Sequence, residues 1–152
     1  MREAIGGSVI LNIALVFIVL INGYLAVSVQ YTKAFRVKNQ IVSYIEQYEG
    51  FSDLAEDRIA DYIGRVMYDP GIAVTCPPVA GEGGSVNVPT NPSTYCVVRM
   101  PGPGIGAGNA SVYRVTTFLT IQLPFVGNLM ETVTGLPGIP IRGETKLVFS
   151  NP

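Results

Sequence analysis

Cys76 and Cys96 are the residues in this 152-residue chain whose type and spacing point most directly at covalent chemistry. They stand on either side of a Pro- and Gly-rich stretch, and a disulfide between them would close about 20 residues and contribute roughly 3 kcal/mol by the chain-entropy account. Two buried free thiols are the alternative reading. A bonded pair would place residues 70–152 outside the cytoplasm. The remaining chemistry is sparse. The chain has no His and no Trp, which removes the usual general base at neutral pH and the commonest transition-metal ligand. Acidic residues between Glu46 and Asp61 could attract Ca²⁺, but none sit at the alternating spacing of a calcium loop. The run Gly102-Pro103-Gly104-Ile105-Gly106-Ala107-Gly108 lacks phosphate-loop spacing and a following Lys-Thr, so it reads as a surface loop. Asn109-Ala110-Ser111 is a glycosylation sequon, making Asn109 a possible modification site. No catalytic, cofactor-binding or metal-binding constellation is expected, no small-molecule substrate is implied, and the reading is not that of an enzyme. A net charge of −1 argues against nucleic acid, which needs a basic footprint.

The elements that must carry these residues separate once charges and breakers are counted along the chain. Apolar residues make up 48% and charged residues only 14%, with a mean hydropathy of +0.37. Residues 1–32 carry two charges, Arg2 and Glu3, and residues 33–69 carry twelve. Residues 70–152 carry seven charges in 83 positions, together with all eleven prolines and twelve of the seventeen glycines. The change at Asp69-Pro70-Gly71 marks a switch from helix to loop-rich β structure. The expected fold is α+β. A long hydrophobic N-terminal helix (1–32) continues into an amphipathic helical stem (33–69), and a small antiparallel β domain (70–152) follows.

From Ile5 to Val29 no charge interrupts the chain, which as helix is roughly 37 Å, against a hydrocarbon core of about 30 Å. A cleaved signal peptide would have a shorter apolar core and a small-residue cleavage site, whereas here the helical pattern continues from Tyr24 through Lys38. Asn12 and Asn22 are costly against lipid and are expected to hydrogen-bond to a neighbouring helix or to the preceding turn. Gly6 and Gly7 weaken the helix but permit close backbone approach. These features fit a helix that packs against copies of itself.

Beyond the apolar run, Ala34, Val37, Ile41, Ile45 and Tyr48, then Ala55, Ile59, Tyr62 and Val66, recur at spacings of three and four. Gly50 reads as a C-terminal cap, and Ser52 or Asp53 as a new N-cap, with Asp53 and Glu56 matching a capping box. One helix to about Glu49 and a second over 53–67 follow, their stripe forming the face on which the β domain packs. Charge along the stem is polarised, basic at Lys33, Arg36 and Lys38 and acidic from Glu46 to Asp61. These groups are too far apart to pair within one molecule but could meet between staggered copies. Strands are expected over 72–76, 95–100, 112–123 and 139–149, the third alternating most regularly. Residues 77–93 and 101–109 read as loops and 125–134 as one or two helical turns.

This arrangement resembles that of type IV pilin-like proteins, and more narrowly the TadE-like pseudopilins of tight-adherence pilus systems. An acidic residue near the terminus, Glu3, precedes an uninterrupted apolar helix, an amphipathic continuation and a small β domain. The tail running from Leu123-Pro124-Phe125 through Gly135-Leu136-Pro137 to Ile139-Pro140-Ile141-Arg142-Gly143-Glu144-Thr145 is similar to the family's closing strand, short helix and final strand. The resemblance implies a pilin-like fold and a homo-oligomeric helical filament joined through residues 4–32, with the membrane as partner before assembly. In the family an acid at the fifth mature position pairs with the amino terminus of a neighbouring subunit; here Ile5 stands fifth and Glu3 two positions earlier. No leader ending in Gly precedes Met1, so the reading admits a chain already processed or one inserted uncleaved. Glu3, Asn12, Asn22, Lys33, Arg36 and Lys38 are the expected assembly residues. A bitopic membrane protein that never polymerises, such as a minor pseudopilin or an assembly accessory, is the alternative. The positive-inside rule would place the Lys33–Arg36–Lys38 side in the cytoplasm. The expected disulfide and the β segment favour the opposite side.

Overall fold

A computed structural model of the chain describes residues 2–71, 74–76, 84–91, 93–102, 110–120, 122–123, 127–128 and 138–149. Helix α1 runs unbroken from Arg2 to Gln47, 46 residues and so about 69 Å long. Helix α2 spans Asp53–Val66. Among the described residues seven strands follow: β1 (Val86–Val88), β2 (Tyr95–Pro101), β3 (Ala110–Leu119), β4 (Gln122–Leu123), β5 (Gly127–Asn128), β6 (Ile139–Glu144) and β7 (Val148–Phe149). Strands β1-β2-β3-β6 form an antiparallel sheet in that order, with β7 also pairing β3, and β4 pairs β5 separately.

Both helices end in the same way. The α1 terminus donates Gly50 N–H to the Ile45 carbonyl (2.9 Å), and the left-handed residue is Glu49 (φ 55°). The cap expected at Gly50 therefore sits one residue earlier, although Gly50 itself, at φ 141°, holds a backbone that a side chain would strain. At the end of α2, Met67 is left-handed (φ 49°) and Tyr68 N–H reaches the Ile63 carbonyl. The N-cap of α2 is Ser52, whose hydroxyl accepts from Ala55 N–H. Asp53 is thus the first helical residue, and the Asp53/Glu56 capping box does not form. The Glu56 carboxylate instead accepts from Asn91 N–H (2.7 Å), tying α2 to the β segment.

The stripe read from the sequence is the core. Ala34, Val37, Ile41 and Ile45 of α1, with Ile59 and Ile63 of α2, pack on Tyr95, Val97, Tyr113 and Val115 of the sheet. On β3, Tyr113, Val115, Thr117 and Leu119 are buried on the core face as the alternation requires, and Thr116, on the other face opposite Cys96, is buried as well. Thr117 donates its hydroxyl to the Ala34 carbonyl (3.2 Å), joining the sheet to the helix inside this core. The Tyr68 hydroxyl accepts from Phe118 N–H (2.9 Å) and donates to Phe118 C=O (2.8 Å), doing for β3 what a neighbouring strand residue would do.

The strand expected over 139–149 is two. Arg114 faces Glu144 and Ser111 faces Val148, so two residues of β3 oppose three residues, 145–147, across the pair. The extra residue makes a bulge. Thr145 fills it by donating its N–H to the Tyr113 carbonyl and accepting from Tyr113 N–H with its hydroxyl. Other expectations need correction. Residues 74–76 are not strand, β1 lies inside the expected 77–93 loop, and Thr120 interrupts the strand expected over 112–123. Gly127–Asn128, expected to be helical, pairs with β4 instead. Val86-Asn87-Val88 is too short to give a period, and it forms because the edge of β2 offers free ladder groups.

Cys76 and Cys96 are joined, with a Cα–Cα distance of 5.6 Å. Cys96 points to the sheet face opposite Tyr95 and Val97, so the bridge fastens the chain leaving α2 to the back of β2.

Candidate functional site

The surface that distinguishes this protein is the first half of α1. Helix α1 changes environment along its length without a break. From Ala34 onward every third or fourth residue is covered by the protein's own sheet and second helix. Before Ala34, Val9, Ile10, Leu11, Ile13, Leu15 through Ile21, Leu25 and Val29 are all more than half exposed, as is Tyr24 at 72%. This is the one helix among the described residues long and apolar enough to cross a membrane. Isolated apolar side chains on a surface are ordinary; a contiguous cylinder of them is a mark of something that covers it.

The expected assembly residues occupy distinct environments. Glu3 lies in helix α1, and its side chain falls outside the described residues, as does Asn109. Asn22 donates to the Ile18 carbonyl one turn back (2.7 Å), so it satisfies itself within the helix, and Thr32 does the same with Ser28 (2.8 Å). Asn12 is exposed, without a hydrogen-bond partner among the described residues. Gly7 has open space where a side chain would stand.

The three basic residues diverge most. Lys38 is folded into the protein at 9% exposure, with its ammonium 4.2 Å from the Phe35 ring centre and its stem lying across Gly143. A Cβ at Gly143 would stand 2.9 Å from Lys38 Cδ, so glycine there is what admits the side chain. Lys33 donates to the Met67 carbonyl at the end of α2 (2.7 Å), where the helix dipole favours a cation. Arg36 is exposed and has no ion pair among the described residues. The acidic stem is likewise partly used within the chain. Glu46 accepts from Lys146 N–H (2.8 Å), and Asp61 pairs with Arg65 one turn on, whose guanidinium holds the Asp61 carboxyl below its ordinary range.

Helix α2 runs back along α1, with Tyr44 and Tyr62 edge to face at 6.2 Å and Met67 level with Lys33. Where it ends, the two helices enclose an open groove of about 610 Å³ between Leu25, Val29 and Val66, with Lys33 and Arg36 on its wall. The sequence did not point to this groove, because it depends on contacts between residues more than thirty positions apart. Among the described residues no three carboxylate or thiol groups stand close enough to share a metal ion. No protein-family profile, characterised protein or solved structure matches the chain.

Proposed function

We propose that the protein is a structural subunit of an extracellular type IV pilus-like filament. The apolar half of α1, residues 4–32, anchors it in the membrane before assembly and packs against the same segment of other copies afterwards. The observation that supports this reading is the division of one continuous helix. Its second half is the spine of the protein's own core, and its first half is a bare apolar cylinder carried by a small domain.

Full burial of a Val, Leu or Ile side chain stabilises by about 1.5–3 kcal/mol, and these are already partly shielded by the helix, so covering each contributes roughly 1 kcal/mol. Over the whole segment that reaches on the order of 10 kcal/mol, comparable with the cost of association, about 4–15 kcal/mol. Lipid tails cover the same surface equally well. Hydrophobicity therefore holds the subunit in either setting and does not choose between them. Directional contacts must make the choice, and Gly7, with open space beside it, and Asn12, without a partner among the described residues, are placed to supply them.

The test is a shear preparation of the cell surface examined by electron microscopy, with N-terminal sequencing of the main band. Filaments containing this chain are expected, and Val16→Asp is expected to abolish them. Filaments in which residues 7–32 remain open to labelling would overturn the proposal. Detergent extraction giving only monomers, with no sedimentable filament, would replace it with the bitopic, non-polymerising alternative.

A further inference from the structure

The groove at the end of α2 has features that filament packing through residues 4–32 does not require. It begins on the apolar segment at Leu25 and Val29 and ends at Lys33 and Arg36, the first two charges after the uncharged run. Those charges lie about 6 and 10 Å beyond Val29 along the helix axis. With residues 7–32 across a bilayer, this is where headgroup phosphates lie. Tyr31 and Phe35 are exposed around the same level, as aromatic side chains are at a membrane interface. Met67, 81% exposed at the end of α2, is level with Lys33, which donates to its carbonyl.

From this we infer that the groove binds an anionic membrane phospholipid, with Arg36 and Lys33 holding its phosphate and Leu25 and Val29 lying along an acyl chain. This rests on reading residues 7–32 as membrane-embedded before assembly. The charge complementarity is specific. Among the described residues no Asp or Glu lines the groove and Arg36 has no competing ion pair, and Lys33 spends one of its three N–H donors on Met67. Charge-assisted bonds from a guanidinium and an ammonium to phosphate oxygens are the strong class, and an apolar wall directly below them suits a diacyl lipid better than free phosphate. Such a lipid would also brace α2 against α1 at the point where the α1–α2 pair meets the bilayer.

The full-length chain is reconstituted into vesicles of phosphatidylcholine alone and of phosphatidylcholine mixed with phosphatidylglycerol. After flotation, retained lipid is measured by native mass spectrometry. Phosphatidylglycerol is expected to be retained in preference to phosphatidylcholine, and Arg36→Gln to reduce that retention by about tenfold or more. Arg58→Gln, on the exposed face of α2, is the control expected to retain it fully. Equal retention of both lipids, or retention unchanged in Arg36→Gln, would overturn the proposal while leaving the membrane anchor standing. A photoreactive residue at Val29 that captures a second copy of the chain instead of lipid would also overturn it. Failure of the chain to float with any vesicle would overturn the membrane reading itself, and this proposal with it.

Discussion

Replacing Tyr68 by Phe and replacing Tyr95 by Phe remove the same atom from two buried tyrosines, and the structure assigns the two changes opposite signs. The Tyr68 hydroxyl makes two hydrogen bonds to the Phe118 backbone, at 2.8 and 2.9 Å, on a side chain only 6% exposed. Removing it leaves an N–H and a C=O without partners. At about 1 kcal/mol net per bond, and more where a stranded group stays dry, Tyr68→Phe should cost about 2–4 kcal/mol. The Tyr95 side chain is fully buried, and its hydroxyl has no hydrogen-bond partner among the described residues. Removing that hydroxyl relieves a desolvation penalty and leaves only a small void, so Tyr95→Phe should be neutral or stabilise by up to about 1 kcal/mol. The assay is urea unfolding of the full chain in detergent micelles, followed by the near-ultraviolet circular dichroism of the tyrosines. A shift in midpoint at unchanged slope reports stability. If Tyr95→Phe costs as much as Tyr68→Phe, the pairing of these hydroxyls is misassigned.

The same pair carries a pH prediction. Burial raises the phenol pKa of Tyr68 and, more strongly, of Tyr95, where Glu56 adds to the effect. A phenol is neutral when protonated, so a raised folded value means the folded state holds its proton longer than the unfolded chain. Stability from this source is complete below about pH 10, the unfolded value, and is lost as pH rises through the folded value. Alkaline titration of the unfolding midpoint should therefore fall less steeply in Tyr95→Phe than in the parent.

Three further outcomes follow from single contacts. Gly143→Ala should displace the Lys38 stem, destabilise by about 1 kcal/mol and raise the rate at which Lys38 is acylated by an amine reagent, read by peptide mapping. Met67→Gly should stabilise by about 1 kcal/mol in urea, because it removes a side chain from a left-handed position and keeps the carbonyl that Lys33 contacts. Joint replacement of Cys76 and Cys96 by Ser should cost about 3 kcal/mol by the same measurement, the loop between them no longer being closed in the unfolded chain.

What was readable in the sequence was whatever one residue type and one period could express. The spacing from Ala34 to Val66 located the core face of both helices, the alternation over Tyr113 to Leu119 located the central strand, and the loop-flanking cysteines located the bridge. What escaped was structure in which a group from one element replaces the partner expected from another. Tyr68 stands in for a strand residue at Phe118, Thr145 fills a bulge at Tyr113, and Glu56 serves Asn91 instead of its own helix end. Both left-handed positions were hidden for a related reason. They fall on Glu49 and Met67, side chains that give no local sign of that conformation, beside a Gly50 that does. The groove escaped for want of any local pattern, since Lys33 and Met67 meet only because α2 is long enough to return to where the apolar run ends.

The fate of the basic cluster bears on which side of the membrane the β domain occupies. Read as sequence, Lys33, Arg36 and Lys38 oppose an outside location, because loops rich in Lys and Arg are retained in the cytoplasm. That inference takes the charges to be present for the sake of topology. In the folded chain, Lys38 lies under the sheet edge with its ammonium over Phe35, and Lys33 completes the end of α2. Two of the three cations thus have folded-state reasons to be where they are, and their presence carries correspondingly less information about orientation. The disulfide also serves the fold, but forming it requires oxidation whatever its structural use. It joins the chain after α2 to the back of the sheet, and a bond of that kind persists in an oxidising compartment. On that ground we propose an outside β domain, and labelling decides it: in intact cells, a membrane-impermeant amine reagent should reach Lys146, exposed between β6 and β7, and fail to do so if the domain is cytoplasmic.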